Sequence, residues 1–378
     1  MKNKKLFSMI ASWLLVIVLL AGCAAPIPEY EIWVPTDAPS SGSTPASSIP
    51  SSSVSASQPG SEITPPSSAP ASTPPSTPST VPPTTPPSTP PTVPPTVPPT
   101  TPPVSNPVPD GSSFAVHFID VGQADSILVL CDGKAMLIDG GNKADSNLVY
   151  TYLKKQNITH LEYIIGTHGH EDHIGGIPGA LQAATVGTVY CPVTSYNSQA
   201  FRDFANAVKN RSKSITVPTV GTTFNLGSAV CTILAVDPKA EDPNNTSIVM
   251  RIVYGETSFL FTGDAEREVE QKLLSSGVTL KSDVLKVGHH GSNSSTTYPF
   301  LREVMPQYAV ISVGSDNTYG HPTSNTLSRL RDADVVTFRT DKQGDIICVS
   351  DGKTVTFTPS RNANANMYQK IGPNSTQQ

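Results

Sequence analysis

From residue 111 onward the chain alternates between two hydrophobic patterns. Short apolar runs, some with period-two alternation, read as strands, and longer segments with apolar residues three and four apart read as helices. Residues 114–119 alternate, 126–130 and 135–138 are nearly continuous apolar runs, and 147–156 has helical spacing. Residues 163–165 form a short buried strand. A helix around 177–184, a strand at 188–190 and a helix over Gln199–Asn210 follow. Strands then crowd together at 229–236, 247–254 and 258–262. Helices near 266–274 and 323–330 separate later strands at 283–287, 309–313 and 335–338. This order predicts an α/β domain with mixed strands, and two sheets covered by helices on both outer faces would fit it.

Composition restricts that domain to part of the chain. Twenty-seven of the 37 prolines fall between Pro26 and Pro109, among Ser, Thr, Val and Ala. From Val81 to Val104 the sequence runs as six four-residue units such as Val81-Pro82-Pro83-Thr84. Such a stretch lacks both apolar bulk and backbone donors, so residues 24–110 are expected to be a disordered linker sampling polyproline II. At ~3.1 Å per residue its reach is on the order of 200 Å. Ahead of it, Lys2, Lys4 and Lys5 precede an apolar run near 10–21 and then Leu20-Ala21-Gly22-Cys23. A basic head, a short apolar segment and small residues describe an export signal over 1–23. The last four residues resemble a bacterial lipobox. That resemblance implies a lipid on Cys23, a membrane as partner, and an extracytoplasmic domain extending into or beyond a cell wall. The folded domain is expected over 111–360, followed by a polar, frayed tail at 361–378.

Charge alters the picture little. Setting aside Lys2, Lys4 and Lys5 and five acids before residue 111 leaves 22 basic against 25 acidic side chains. That balance provides no broad basic face for polyanions. It leaves open a nucleic acid or a cell-wall phosphodiester held locally, and no protein partner is indicated. Cys131, Cys191, Cys231 and Cys348 lie away from the histidine motifs and read as buried thiols or as a disulfide framework.

The chemistry concentrates in Thr167-His168-Gly169-His170-Glu171-Asp172-His173-Ile174-Gly175-Gly176, which holds three of the eight histidines. It is expected on a loop joining strand to helix, where a rigid scaffold aims side chains that water and substrate can still reach. His168 and His170, two apart, can face one cation across a bend. Asp172 and His173 suit a second cation nearby. Imidazole with carboxylate favours zinc, manganese or iron, and the absence of cysteine argues against a purely structural zinc site. Downstream, a strand ends in Gly263-Asp264, another in Gly288-His289-His290-Gly291-Ser292, and Tyr319-Gly320-His321-Pro322 precedes a helix.

The decamer resembles the first metal-binding motif of the metallo-β-lactamase superfamily, His-x-His-x-Asp-His. Asp120-Val121-Gly122-Gln123-Ala124-Asp125-Ser126, Asp139-Gly140-Gly141 and the His-His-Gly-Ser and Gly-His-Pro motifs complete a set. Together, over roughly residues 113–358, they resemble the hydrolase domain of the ComEC family of bacterial DNA-uptake proteins. The resemblance implies a four-layer αββα sandwich. It also implies two divalent cations, zinc or manganese, with His168, His170 and Asp264 on one and Asp172, His173, His289 and the shared Asp264 on the other. His289 is favoured over His290, which is kept as a ligand or substrate contact. Asp125 and Asp139 would orient ligand histidines.

One departure stands out. No histidine lies between His173 and His289, an interval in which many members supply a further metal ligand. Asn245 is expected to stand in there as an oxygen ligand or to orient a water. The implied function is an exported metal-dependent hydrolase, a phosphodiesterase or nuclease that uses a water activated by two metals. In that scheme Asp172, Ser292 and His321 act as catalytic groups, Ser292 on a phosphate oxygen and His321 on the leaving group. The alternatives are a hydrolase of another substrate class, whether wall phosphodiester, β-lactam or thioester, and a non-catalytic surface-binding module.

Overall fold

The structure is a computed structural model and describes residue 111 and residues 113–368. The export signal, Cys23, the linker and the end of the tail lie outside the described residues.

In chain order the first strands are β1 (Phe114–Phe118), β2 (Ser126–Cys131), β3 (Lys134–Gly140), β4 (His160–Ile165), β5 (Thr185–Tyr190) and β6 (Ile215–Thr216). Next come β7 (Thr223–Leu226), β8 (Ala229–Ala235), β9 (Val249–Tyr254), β10 (Thr257–Phe261), β11 (Val284–Lys286), β12 (Tyr308–Ile311) and β13 (Val336–Arg339). The hairpin of β14 (Ile346–Ser350) and β15 (Val355–Pro359) closes the set. Spatially, one sheet runs β15-β14-β1-β2-β3-β4-β5-β6 and the other β13-β12-β11-β10-β9-β8-β7. Both are mixed: β3 to β6 and β10 to β13 are parallel, and their neighbours are antiparallel.

Side-chain alternation sorts the apolar runs into three layers of core. Phe114, Val116, Ile127, Val129, Met136 and Ile138 of the first sheet meet Met250, Ile252, Phe259, Phe261 and Val284 of the second. The intervening residues face outward. Leu128, Leu137 and Ile164 pack under α1 (Ser146–Lys155), α3 (Ile177–Ala183) and α4 (Gln199–Asn210), the short α2 (Glu171–Ile174) lying between them. Leu260, Leu285 and Ile311 pack under α5 (Arg267–Ser276), α6 (Tyr298–Val304) and α7 (Ser324–Asp332). Strands covered on both faces lose the polar half of their alternation, which is why they read as continuous apolar runs. The result is the αββα sandwich implied by the motifs.

The differences from the expected elements are local. Strands β6, β7, β14 and β15 and helix α6 were not among them. Arg361 to Tyr368, expected to fray, instead packs back: buried Arg339 donates from Nη1 to the Met367 carbonyl at 2.7 Å, and Tyr368 Oη donates to Val335 O at 2.9 Å. The four cysteines are free and buried. Among the described residues, no helix is long and apolar enough to cross a membrane.

Candidate metal centre

The histidine loop and the Gly-Asp, His-His and Gly-His-Pro motifs lie beyond the carboxyl ends of parallel strands β4, β10, β11 and β12, where ligands of open α/β sheets bind. Past β4 the chain turns through Thr167 and His168, and α2 begins at Glu171. Asp172 and His173 therefore occupy a first helical turn rather than the open loop. His168 Nε2 and His170 Nδ1 face each other at 3.0 Å. The turn is fastened from beneath by Asp139 at the end of β3. Its Oδ1 accepts Thr167 N at 2.8 Å, and its Oδ2 accepts Thr167 Oγ1 and His173 Nδ1, each at 2.8 Å. Donation from Nδ1 leaves His173 Nε2 with its lone pair pointing into the site.

The opposite wall comes from the second sheet. Ser247 Oγ accepts the Asp264 backbone N–H at 3.1 Å and places that carboxylate beyond β10. His290 donates from Nδ1 to the Ser312 carbonyl at 3.0 Å. A carbonyl can only accept, so Nε2 is again the bare nitrogen. It lies 3.3 Å from Asp172 Oδ2 and 3.6 Å from Asp264 Oδ2, and His173 Nε2 lies 3.3 Å from the same Asp264 oxygen. One ligand atom from each of Asp172, His173, Asp264 and His290 falls within 4.8 Å of the others.

On these side chains, His173 Nε2, His290 Nε2 and the second Asp264 oxygen, Oδ1, are buried and make no hydrogen bond. Buried polar atoms normally have a partner. Three orphans converging with a fourth ligand are the donor set that a divalent cation fits. The electrostatics agree. Burial would push the imidazole of His290 down, but Asp264 and Asp125 beside it raise it to about 10. Burial likewise opposes the charged form of His173, and Asp264, Asp139 and Asp172 hold it well above its ordinary value. Burial would raise Asp264, yet His173 and His290 hold it well below the usual carboxylate range. The carboxylates thus favour a positive charge on this cluster, whether a proton or a cation.

Residues 119–315 match the family model of the metallo-beta-lactamase superfamily. The chain belongs to that superfamily. It is 30% identical over 252 residues to ComE operon protein 3 of Bacillus subtilis, covering 61% of this chain and 32% of that protein. It is 31% identical over 239 residues to the competence protein ComA of Neisseria gonorrhoeae, covering 63% of this chain and 32% of that protein. The chain thus spans about a third of the length of the curated relatives it matches. These relatives bear out the resemblance to the ComEC family. Among solved structures it is similar to the metallo-beta-lactamase fold protein YhfI of Bacillus subtilis. That match has a TM-score of 0.42 at 13% identity, covering 65% of this chain and 100% of the other. The superfamily is one of metal-dependent hydrolases, and the polar cluster lies within the matched segment.

The remaining residues singled out in the sequence fall around this superfamily site in different ways. Asp125 lies behind His290, with Oδ1 3.4 Å from its Nδ1 and Oδ2 paired to Lys286 Nζ at 2.9 Å. Asp125 thus contacts His290 and Asp139 contacts His173. His290 rather than His289 completes the closed group, contrary to the expectation. Both residues adopt left-handed φ, 49° and 52°, so the pair does not splay to opposite sides as adjacent residues of a strand would, and the Nδ1 bond to the Ser312 carbonyl aims His290 Nε2 into the group. His289 stays half-buried at the mouth with Nε2 3.7 Å from Asp264 Oδ2.

Asn245 is not poised as an oxygen ligand. Its Oδ1 accepts Glu266 N at 2.9 Å and its Nδ2 donates to Glu268 Oε2 at 3.3 Å, so both ends of the amide are engaged. His321 is outside the closed group, its ring 5.6 Å from His289 and stacked 5.7 Å from exposed Tyr319. Asn317 fixes it by accepting His321 N at 2.9 Å and donating to His321 O at 2.8 Å. Ser292 Oγ lies 3.0 Å from Ser294 Oγ on the loop between the two. Lys286, Ser247 and Glu266 were missed. Each sits one to three residues from a motif that was read, and nothing but tertiary pairing distinguishes it.

Proposed function

We propose that this chain is an exported phosphodiesterase, foremost a nuclease, held at the membrane by a lipid on Cys23 and working with two divalent cations, zinc or manganese. The observation that carries the reading is the closed group of Asp172, His173, Asp264 and His290 with three unpartnered buried atoms, beside the His168–His170 pair. Asp264 would serve both cations, His168 and His170 the first, and Asp172, His173 and His290 the second. Bound divalent cations supply Lewis acidity toward a phosphodiester and toward the water that attacks it. The chain's own groups do the rest. Asp139 and the Ser312 carbonyl keep the two Nε2 lone pairs aimed inward. Ser292 and the Gly291 backbone would receive a phosphate oxygen, and His321 would protonate a leaving oxygen. Similarity to a competence protein favours DNA as the diester.

The test is hydrolysis of single-stranded DNA and of a chromogenic phosphodiester by the full chain with manganese or zinc. Asp264→Ala should abolish both reactions. His321→Ala should lower turnover by roughly 10²-fold or more with cations retained. Cleavage of the chromogenic diester alone would direct the search to wall polymers. No turnover of either, in folded and metal-loaded protein, would refute the reading in favour of a β-lactam or thioester substrate or a binding module.

A further inference from the structure

Eight rings run in unbroken succession across the mouth of the sandwich. Tyr196, His170, His168 and His173 follow strands of the first sheet, and His290, His289, His321 and Tyr319 follow strands of the second. Neighbouring ring centroids lie 4.1 to 6.2 Å apart along the whole series. A tyrosine therefore stands at each end of the row of imidazoles, and the two differ. Tyr196 is half-buried and accounted for by packing: a Cβ on Gly169 would lie 3.0 Å from its Cγ, and the Phe201 ring lies 6.2 Å from its own. Tyr319 is 72% exposed, on the loop between β12 and α7. Its ring stacks on that of His321 at 24°, with 5.7 Å between centroids, and most of it meets water.

Leaving that much apolar surface in water forfeits the free energy that burial would return. Yet the loop that presents it is fastened. Asn317 Nδ2 donates to Gly314 O at 2.7 Å and to His321 O at 2.8 Å, and Gln123 Oε1 accepts Gly314 N at 3.2 Å. A ring so held is pre-organised to receive a flat partner. The surrounding charge narrows what that partner is. Segments 167–176, 287–297 and 312–323, which carry His170, His289, His290 and His321, contain no lysine or arginine, and Glu171 and Asp316 stand exposed on them. A phosphate backbone finds no cationic track along these segments. Affinity for a nucleic acid must then come from its bases, each of which offers a π-face to an aromatic ring.

We infer that Tyr319 is a specificity-determining residue that stacks a nucleobase beside the scissile phosphate, so that the site selects single-stranded nucleic acid over diesters without bases. The bases of a duplex are already stacked on one another and offer no free face. The inference rests on the phosphodiesterase reading above for the bond that is cut.

The test compares the full chain with Tyr319→Ala and Tyr319→Phe, in manganese, on a single-stranded oligothymidylate and on a strand of the same length built of abasic sites. Tyr319→Ala should lower kcat/KM for the oligothymidylate by roughly 5- to 100-fold, mainly through KM, and leave the abasic strand within about twofold. Tyr319→Phe keeps the ring and should match wild type on both strands. Affinity of wild type for the oligothymidylate should fall only shallowly with added salt. Equal losses on the two strands in Tyr319→Ala would overturn the inference and make Tyr319 a brace for His321. A loss in Tyr319→Phe as large as in Tyr319→Ala would overturn it in favour of the hydroxyl. Equilibrium binding of both strands to the Asp264→Ala chain, with and without Tyr319→Ala, reads the same contrast in the absence of turnover. Cleavage of neither strand by wild type, alongside tighter and Tyr319-dependent binding of the oligothymidylate, would defeat the phosphodiesterase reading and leave this inference standing. No preference for the oligothymidylate over the abasic strand, in binding or in cleavage, would overturn it.

Discussion

Replacing Lys286 by Met should expose how much of the site is held together by charge from behind. Lys286 is the last residue of β11, shares the inward face with Val284, and has 1% of its side chain exposed. Its Nζ touches two acceptors, Asp125 Oδ2 at 2.9 Å and its neighbour's carbonyl, Val287 O, at 3.0 Å. Asp125 has 2% of its side chain exposed and comes from the other sheet's β1–β2 connection, so the pair spans the seam between the sheets. Burial alone would raise Asp125, but the Lys286 ammonium, with His290, holds it well below the usual carboxylate range. Methionine fills the lysine stem's volume and removes the charge. The Asp125 carboxylate would then remain buried with the His290 imidazole at 3.4 Å from Oδ1 and His173 near by as its remaining positive partners.

Breaking a buried pair on one side costs about 3–5 kcal/mol, and the nearby imidazole places this case at the lower end, about 3 kcal/mol. For a domain of this size that corresponds to a drop of roughly 6–12 °C in thermal midpoint. The measurement is calorimetry or denaturant unfolding in the presence of chelator, so that cations do not mask the loss. Adding Asp125→Asn should recover part of it, with a coupling energy of about 2 kcal/mol in the double-mutant cycle. A cost below about 1 kcal/mol for Lys286→Met, or additive single effects, would refute the claim that this pair braces the site.

Two further outcomes follow from groups outside the cluster. Burial lowers His117, whose Nδ1 lies 2.9 Å from Tyr152 Oη, from 6.5 to about 4. The unfolded chain therefore takes up a proton as pH falls through 6.5 while the folded chain stays neutral until about 4. Stability is lost across that window by an amount on the order of 3 kcal/mol, and His117→Gln should flatten it; an unchanged slope of unfolding free energy against pH from 7 to 4 would exclude His117 as the source. Gly291→Ala should separate two loops of the site, because a Cβ there would lie 2.6 Å from Pro322 Cβ on a backbone with φ +85°. His290 and His321 would shift relative to each other, lowering kcat/KM by about 10²-fold with the circular dichroism spectrum retained. Turnover within twofold of wild type would show that the spacing of these loops does not matter.

The histidine loop, the Gly-Asp strand end and the His-His turn were legible because each couples an apolar run to polar residues of a restricted kind. Periodicity alone reached an α/β domain of mixed strands; the four-layer sandwich came only with the family resemblance that those motifs carry. What escaped was set by partners far away in the chain. Strands β14 and β15 gain their place by pairing with β1 and with each other, and a short apolar run gives no hint of that. That His289 and His290 both face Asp264 turns on a positive φ at each position, which side-chain identity does not encode. Asn245 looked like a ligand because a carboxamide can serve as one, yet Glu266 and Glu268 take both ends of its amide. Lys286, at a strand end, carries no signal in the sequence, and only Asp125 across the seam shows why it is buried.

The pairing of β1 with β14 also fixes an order of events during synthesis. Phe118 pairs with Ile346, roughly 230 residues later, and with Ile127 on its other side. A ribosome adding about 5–20 residues per second needs on the order of ten to fifty seconds to cover that distance. Through that interval the first strand has one edge closed by β2 and the other bare, a template for any passing strand. The first sheet can be finished only when nearly the whole domain has emerged, so the last hairpin acts as the latch that ends the chain's vulnerable period.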